Sequence, residues 1–537
     1  MQLSTFLTIR ARRPLAGRAG LLALAGVLTL AGVCGPARAD DFVNRVNQRT
    51  TEIAPSKRSD LVILPLLAKL EPPPKDVATV DQAALLPAGK QGWNEAASWA
   101  QSANQKAALE GLTKVTRDIK DWRTAWAFGQ PYGIDGVSPD LIRAKMYTEL
   151  GDPPMLAAAQ HLYLPAFDHL GCLVNVEATR LAADGKPSDA IDLLIDWVYF
   201  ARQICDRPFY AEASWGLKTI GQAEERIRDI AYTDFRASTH AMDREHIHEQ
   251  LDRLSENTDK YLDLSRMEFP QGNRVAAEQV VARVYNERDG VNDQTFATTL
   301  SRLGSTEHPL RLFSEAARWR TISGDQANWF DARDKAKGIQ DDWAMRWRID
   351  WYDNRMRLLS VYSKLDRQKF AAVDAATPDM GDLIQFRQVD EVEGVGTRLS
   401  LALVGYALAA KMLPPVATAV RPLWMTALEA DPYNPERAAG AKPPLEFFVP
   451  IRDQQRTERQ EREPHTMLVF TPNGEDNFKK DLFDDTFVLY SRGSDNHKDY
   501  AKRVQNTWKT VQGADYLIWP PYLSLYREHL IDRGDIK

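Results

Sequence analysis

Two histidines, His246 and His248, stand among Glu245 and Glu249 in a stretch that reads as helix. These are the residue types of a zinc site, but the spacing is wrong for one. Side chains two apart on a helix point in different directions, and no HExxH motif is present. His161 and His169 are eight apart, about two helical turns, which separates them too far to share an ion. All four are assigned to structure. Acid pairs such as Asp341-Asp342 and Asp484-Asp485 occur at the rate expected of a chain with 74 acidic residues. A two-carboxylate hydrolase site requires a defined separation, which sequence does not supply. Nucleophile-elbow, phosphate-loop and dinucleotide fingerprints are missing. The sharpest local pattern is Trp343, Trp347 and Trp351, four apart, with Arg346, Arg348 and Arg355 as polar neighbours. Such a ridge is either an aromatic platform for a glycan or peptide or, more commonly, a packing ridge between helices.

The elements that must carry these residues are mostly helical. From Trp93 to Trp126, Trp99, Ala103, Ala107, Leu109 and Leu112 recur at helical spacing. Pro154 to Asp206 reads as a helical hairpin of tetratricopeptide kind. Its first helix runs to about Ala183 and its second starts at about Ser188. Between them Gly185 stops one helix and Pro187 starts the next, with Ser188 as a cap. No second copy follows at a 34-residue period. Asp342 to Lys364 and Val389 to Met412 read as further helices. Leu445–Ile451, Met467–Phe470 and Phe487–Tyr490 read as strands, and Arg452–Glu463 as a charged, solvated insertion. The expected fold is therefore mainly α: a helical-hairpin, tetratricopeptide-like domain over 93–380, then a small α+β C-terminal module over 381–537. Pro55, Pro65 and Pro72-Pro73-Pro74 argue for an irregular segment over 40–92.

The first 39 residues carry arginines and no acid, then an apolar stretch from Leu21 to Val33, then Ala37-Arg38-Ala39. That order is a secretory signal peptide with cleavage between Ala39 and Asp40. The expected location is the periplasm or the exterior, with inner-membrane anchoring by an uncleaved N-terminus as the alternative. Arg12-Arg13 leaves the twin-arginine route open beside the general one. Removing the five arginines of this segment takes the formal charge from −6 to −11. An acidic chain of 498 residues argues against nucleic acid or an anionic membrane as partner. No later segment makes a convincing span: Leu399–Ala410 is short and flanked by Arg398 and Lys411. Cys172 and Cys205, one on each arm of the hairpin, would form a disulfide in an oxidising compartment or remain two buried thiols. A bridge would stabilise by roughly 4 kcal/mol.

The tail resembles a known module. Asp431-Pro432-Tyr433-Asn434, the strands, and Tyr490-Ser491-Arg492-Gly493-Ser494-Asp495 follow the order found in the major pseudopilins of type II secretion. In that family the last loop binds calcium, so the resemblance implies Asp495 and Asp515 as side-chain ligands. Asn496 stands where the family has glycine, and the pilin helix is missing. The whole chain resembles a set of exported, planctomycete-type bacterial proteins that join a helical domain to such a tail. The matching stretches are Gly151-Asp152-Pro153-Pro154, Ala182 to Ala190, and Trp519-Pro520-Pro521. This resemblance implies no activity. The expected function is a periplasmic scaffold or protein-interaction module with an envelope protein as partner and no resident cofactor beyond that calcium. A cell-envelope hydrolase acting on glycans or peptides is the alternative, and a membrane-tethered part of a secretion apparatus a third.

Overall fold

Gly185 adopts φ +74° and Pro187 occupies the first turn of the following helix, so the chain reverses where its punctuation says it should. The hairpin arms are Leu164–Ala183 and Pro187–Cys205. Ser188 does not cap its own helix; its hydroxyl accepts the Asp243 amide at 3.4 Å and so ties the hairpin to the helix Arg244–Arg253. A third long helix, Tyr210–Phe235, packs along the second arm. Gly216 permits this approach, since a Cβ there would fall 2.6 Å from the Cys205 sulfur and 2.8 Å from the Ala201 carbonyl. The helix Gly381–Ala410 packs on the other side of Tyr210–Phe235.

The computed structural model describes residues 39–537 apart from 256–259, 287–289, 308–311, 454–462, 473, 475 and 507–510. The segment expected to be a signal peptide, up to residue 38, and most of the expected charged insertion lie outside the described residues. The segment expected to be irregular contains the helix Ala39–Glu52, whose Phe42 and Val46 bury one turn apart against Tyr132, Phe209 and Ala276. It also contains Asp60–Leu67, a helix that tolerates Pro65 and buries Ile63, Leu64 and Leu67.

Among the described residues the strands form two sheets. β1 (Thr148–Glu149) and β2 (Gln160–His161) make a short antiparallel pair. The second sheet contains β3 (Glu446–Phe448), β4 (His465–Phe470), β5 (Phe478–Leu482), β6 (Val488–Ser491), β7 (Arg503–Gln505) and β8 (Asp515–Trp519). Its order is β3-β6-β8-β7-β4-β5, with β7 parallel to both neighbours and the other pairings antiparallel. Strand alternation divides its two faces. Phe487, Leu489, Tyr516 and Ile518 join the main helical core, while Val488, Tyr490 and Leu517 join Met467, Val469 and the C-terminal helix Tyr522–Arg533. The sheet is thus a layer between helices. Gly396 lets the helix Gly381–Ala410 meet it closely, because a Cβ there would lie 2.6 Å from the Ile518 side chain. The chain is mainly α with a small α+β C-terminal module. Its main hydrophobic core runs without interruption from Ile63 to Trp519.

Candidate functional site

The tryptophan ridge is broken. Its helix is Trp329–Arg348, and the chain leaves it at Ile349 in extended conformation. Two aspartates cause the exit: Asp350 accepts the Tyr352 amide and Asp353 accepts the Arg355 amide, each at 2.9 Å. Such local side-chain bonds compete with the helical ladder. Trp343 and Trp347 are buried, and Trp347 donates its indole N–H to the Met267 carbonyl at 2.9 Å. Trp351 is half-buried and off the helix. Arg346 is turned inward to Asp342 and to the Met356 and Leu358 carbonyls, whereas Arg355 pairs with Asp353 on the surface.

The histidines go separate ways. His246 contacts Asp192 at 2.9 Å, and His248 stacks flat on Trp424 at 4.2 Å. His161 lies 3.9 Å from Glu212, and burial lowers its pKa. That Glu212 is the centre of a sealed polar cluster which spacing did not reveal. It accepts from Tyr132 at 2.6 Å, from Tyr163, and from Arg207 at 2.8 Å. Burial opposes its charge, yet Arg207 prevails and holds its pKa below the ordinary value. A second buried cluster joins helix to sheet. Arg228 pairs with Glu393, which also accepts from Tyr516 at 2.5 Å and Asn506 at 3.1 Å. Beside it, Glu225 accepts the Leu523 amide at 2.8 Å; burial and the Glu393 charge push its pKa up to about 8.

The two stretches that carry the pseudopilin resemblance touch. Ser491 donates its hydroxyl to both oxygens of Asp431, at 2.7 and 2.9 Å. Asp495 accepts the amides of His497 and Gly513, at 2.9 and 2.6 Å. Asp515 accepts those of Asp499 and Ala501, at 3.2 and 2.7 Å. Both carboxylates thereby staple a loop with three left-handed non-glycine residues, Asn496, Tyr500 and Ala501. Burial raises the Asp515 pKa to about 6. A calcium ion takes six to eight oxygen ligands, more than these two side chains offer. Among the described residues no three of His, Cys, Asp and Glu come together as a metal-ion site. Cys172 and Cys205 are both free and buried.

An open groove of about 720 Å³ lies between the helix Arg244–Arg253 and the loop 424–442. Leu251, Trp424, Met425 and Leu428 form its apolar floor. Arg398, projecting from the helix Gly381–Ala410, grips Glu429 at 2.7 and 2.5 Å and braces the loop. The rim acids are engaged: Glu429 by Arg398, Asp252 by Lys260 at 2.8 Å. Arg244 lies over Trp424 at 5.7 Å, and Lys442 is exposed at the far rim. Met412, Val416 and Leu423, on the connection that leads into this loop, are more than half exposed. Nothing in the sequence singled these residues out, since they come from a proline-rich stretch without periodicity.

No protein-family model, no curated protein and no solved structure matches this chain. Among the described residues no helix is long and apolar enough to cross a membrane.

Proposed function

We propose that this chain is an exported, non-enzymatic binding protein of the cell envelope. Its groove takes an acidic, amphipathic segment of a partner protein. The groove itself carries the reading. It is broad and open, its floor is apolar, and its ionisable groups are separated or already paired. A hydrolase needs an acid and a base converging on one bond; this surface instead offers area, with the exposed Lys442 at its rim. The exposed Met412, Val416 and Leu423 extend the apolar surface on the connection entering the groove wall.

The experiment is a titration by fluorescence anisotropy with an acidic amphipathic peptide and its lysine-for-glutamate counterpart. The acidic peptide binds the wild type, and Lys442→Glu or Leu423→Asp weakens it at least ~tenfold. Equal binding of both peptides, or no effect of either substitution, contradicts the assignment. Turnover of peptidoglycan or a protein substrate that survives groove substitution supports the hydrolase instead.

A further inference from the structure

After the helix Trp329–Arg348 the chain turns back in a loop whose tip carries Leu358 and Leu359. They are 64% and 68% exposed, the highest values among the large apolar side chains of the described residues. A single exposed leucine needs no explanation. Here two are adjacent, and the backbone around them is held. Arg346, buried in the last turn of the helix, donates to the Met356 carbonyl at 3.4 Å and to the Leu358 carbonyl at 2.9 Å. Asp342, which accepts from Arg346 at 3.0 Å, also accepts the Val361 amide at 3.0 Å. One ion pair therefore ties down both sides of the tip. Met356 and Val361 pack against the core, and the two leucines between them stay in water.

The surrounding charge has one sign. From Arg355 to Lys369 there are five cations, Arg355, Arg357, Lys364, Arg367 and Lys369, all exposed, against one acid, Asp366. Asp353 engages Arg355 at 2.7 Å, and Asp374 lies 3.7 Å from Arg367. Arg357, Lys364 and Lys369 have no acid partner among the described residues. Exposed apolar side chains flanked by unpaired cations suit an anionic bilayer: the apolar groups enter the acyl boundary and the cations meet the headgroup phosphates. Two leucines on a tip present too little area for a stable protein interface, which takes about 800 Å² per partner. A bilayer accepts a small wedge. The acidity of the whole chain argues against an anionic surface, but screening over about 8–10 Å leaves the local charge in control.

We infer that the loop 355–369 is a peripheral docking site for anionic phospholipid. Leu358 and Leu359 are the inserting wedge, and Arg357, Lys364 and Lys369 are the headgroup contacts. The site shares no residue with the groove.

Co-sedimentation of the purified protein with mixed phosphatidylglycerol–phosphatidylcholine vesicles, and with phosphatidylcholine alone, tests this. The protein partitions to the anionic vesicles at least ~tenfold more strongly, since each cation near such a surface adds roughly fivefold. Arg357→Glu/Lys364→Glu removes the preference, and Leu358→Ser/Leu359→Ser weakens binding at least ~fivefold. Lys106→Glu, the same charge change on an exposed lysine of the helix Ala103–Thr116, leaves it unchanged. All these variants alter exposed residues and keep the wild-type melting temperature. An environment-sensitive fluorophore attached at Leu359→Cys reports insertion locally, because the native thiols are buried. Its emission shifts to the blue with anionic vesicles only. Equal binding to both vesicle types, binding untouched by the two double substitutions, or no shift at position 359 overturns the inference. A dimer that the leucine substitutions dissociate, with no vesicle binding, overturns it in favour of self-association.

Discussion

Arg398 holds Glu429 through two parallel hydrogen bonds, Nε to Oε1 at 2.7 Å and Nη2 to Oε2 at 2.5 Å. A third bond, from Nη1 to the Leu254 carbonyl at 3.0 Å, fixes the guanidinium to the opposite wall. One buried side chain therefore positions both banks of the groove. Glu429→Ala removes both of the parallel bonds to that guanidinium. The expected cost is about 1–3 kcal/mol, read by urea denaturation. The double variant Arg398→Met/Glu429→Leu regains part of that loss, since it also removes the buried guanidinium, while Glu429 is partly exposed. Coupling near zero in the cycle would refute the bracing role.

Among the described residues Glu212 is the acid that pairs with Arg207, inside a cluster that is sealed from solvent. Glu212→Gln leaves the Arg207 charge uncompensated, at a cost of about 3–5 kcal/mol. Tyr163→Phe removes one hydrogen bond to a charged group and costs about 1.5–3 kcal/mol. Reversal of that order would show that the ion pair is not what holds the cluster together.

Glu225 gives the protein a pH dependence of definite sign. Its folded pKa is raised to about 8, above the ordinary carboxylate value, so the folded state binds a proton that the unfolded state has released. Its contribution is present below the unfolded pKa and is lost as pH rises through about 8. Asp431 and Asp515, raised by burial to about 6, act in the same sense at lower pH. Asp229 opposes them at the acid end: it is held at about 2 by Arg527 and Arg226 against its burial, so its contribution is lost as pH falls towards that value. His161, its pKa lowered by burial, opposes the raised carboxylates as pH falls through the imidazole range, but it is one group against three, so stability is greater at pH 5 than at pH 9. Glu225→Gln flattens the alkaline limb by on the order of 2 kcal/mol. Thermal melts at pH 5, 7 and 9 check this; an unchanged alkaline limb in the variant would exclude Glu225 as its source.

The cysteines are predicted to be inert thiols. Burial raises the Cys172 pKa to about 12, and it raises that of Cys205 as well. Thiolate is the reactive form, so iodoacetamide at pH 8 labels neither residue in the native protein and both in urea. A non-reduced mass two hydrogens lighter, with no labelling in urea, would instead demonstrate a bridge.

The hairpin was legible because glycine and proline mark its turn chemically, at Gly185 and Pro187. The tryptophan helix was overread because Trp343, Trp347 and Trp351 keep helical spacing while Asp350 and Asp353 divert the backbone. The opposite error hid the helix Ala39–Glu52, where nearby prolines outweighed Phe42 and Val46. The histidine spacing was informative, since His246 and His248 do diverge. The groove had no local signal. It is assembled from segments distant in sequence, Leu251 with Arg398 and Trp424, and only packing brings them together.

The most direct test of the binding role is site-specific photo-crosslinking in intact cells. A photoreactive residue at position 423, beside the groove, is compared with one at position 359, where Leu359 is exposed beyond the tryptophan helix. The account predicts a discrete adduct with a second protein from position 423, lost when Lys442→Glu is added, and none from 359. No adduct from 423, or the same adduct from both positions, would contradict it.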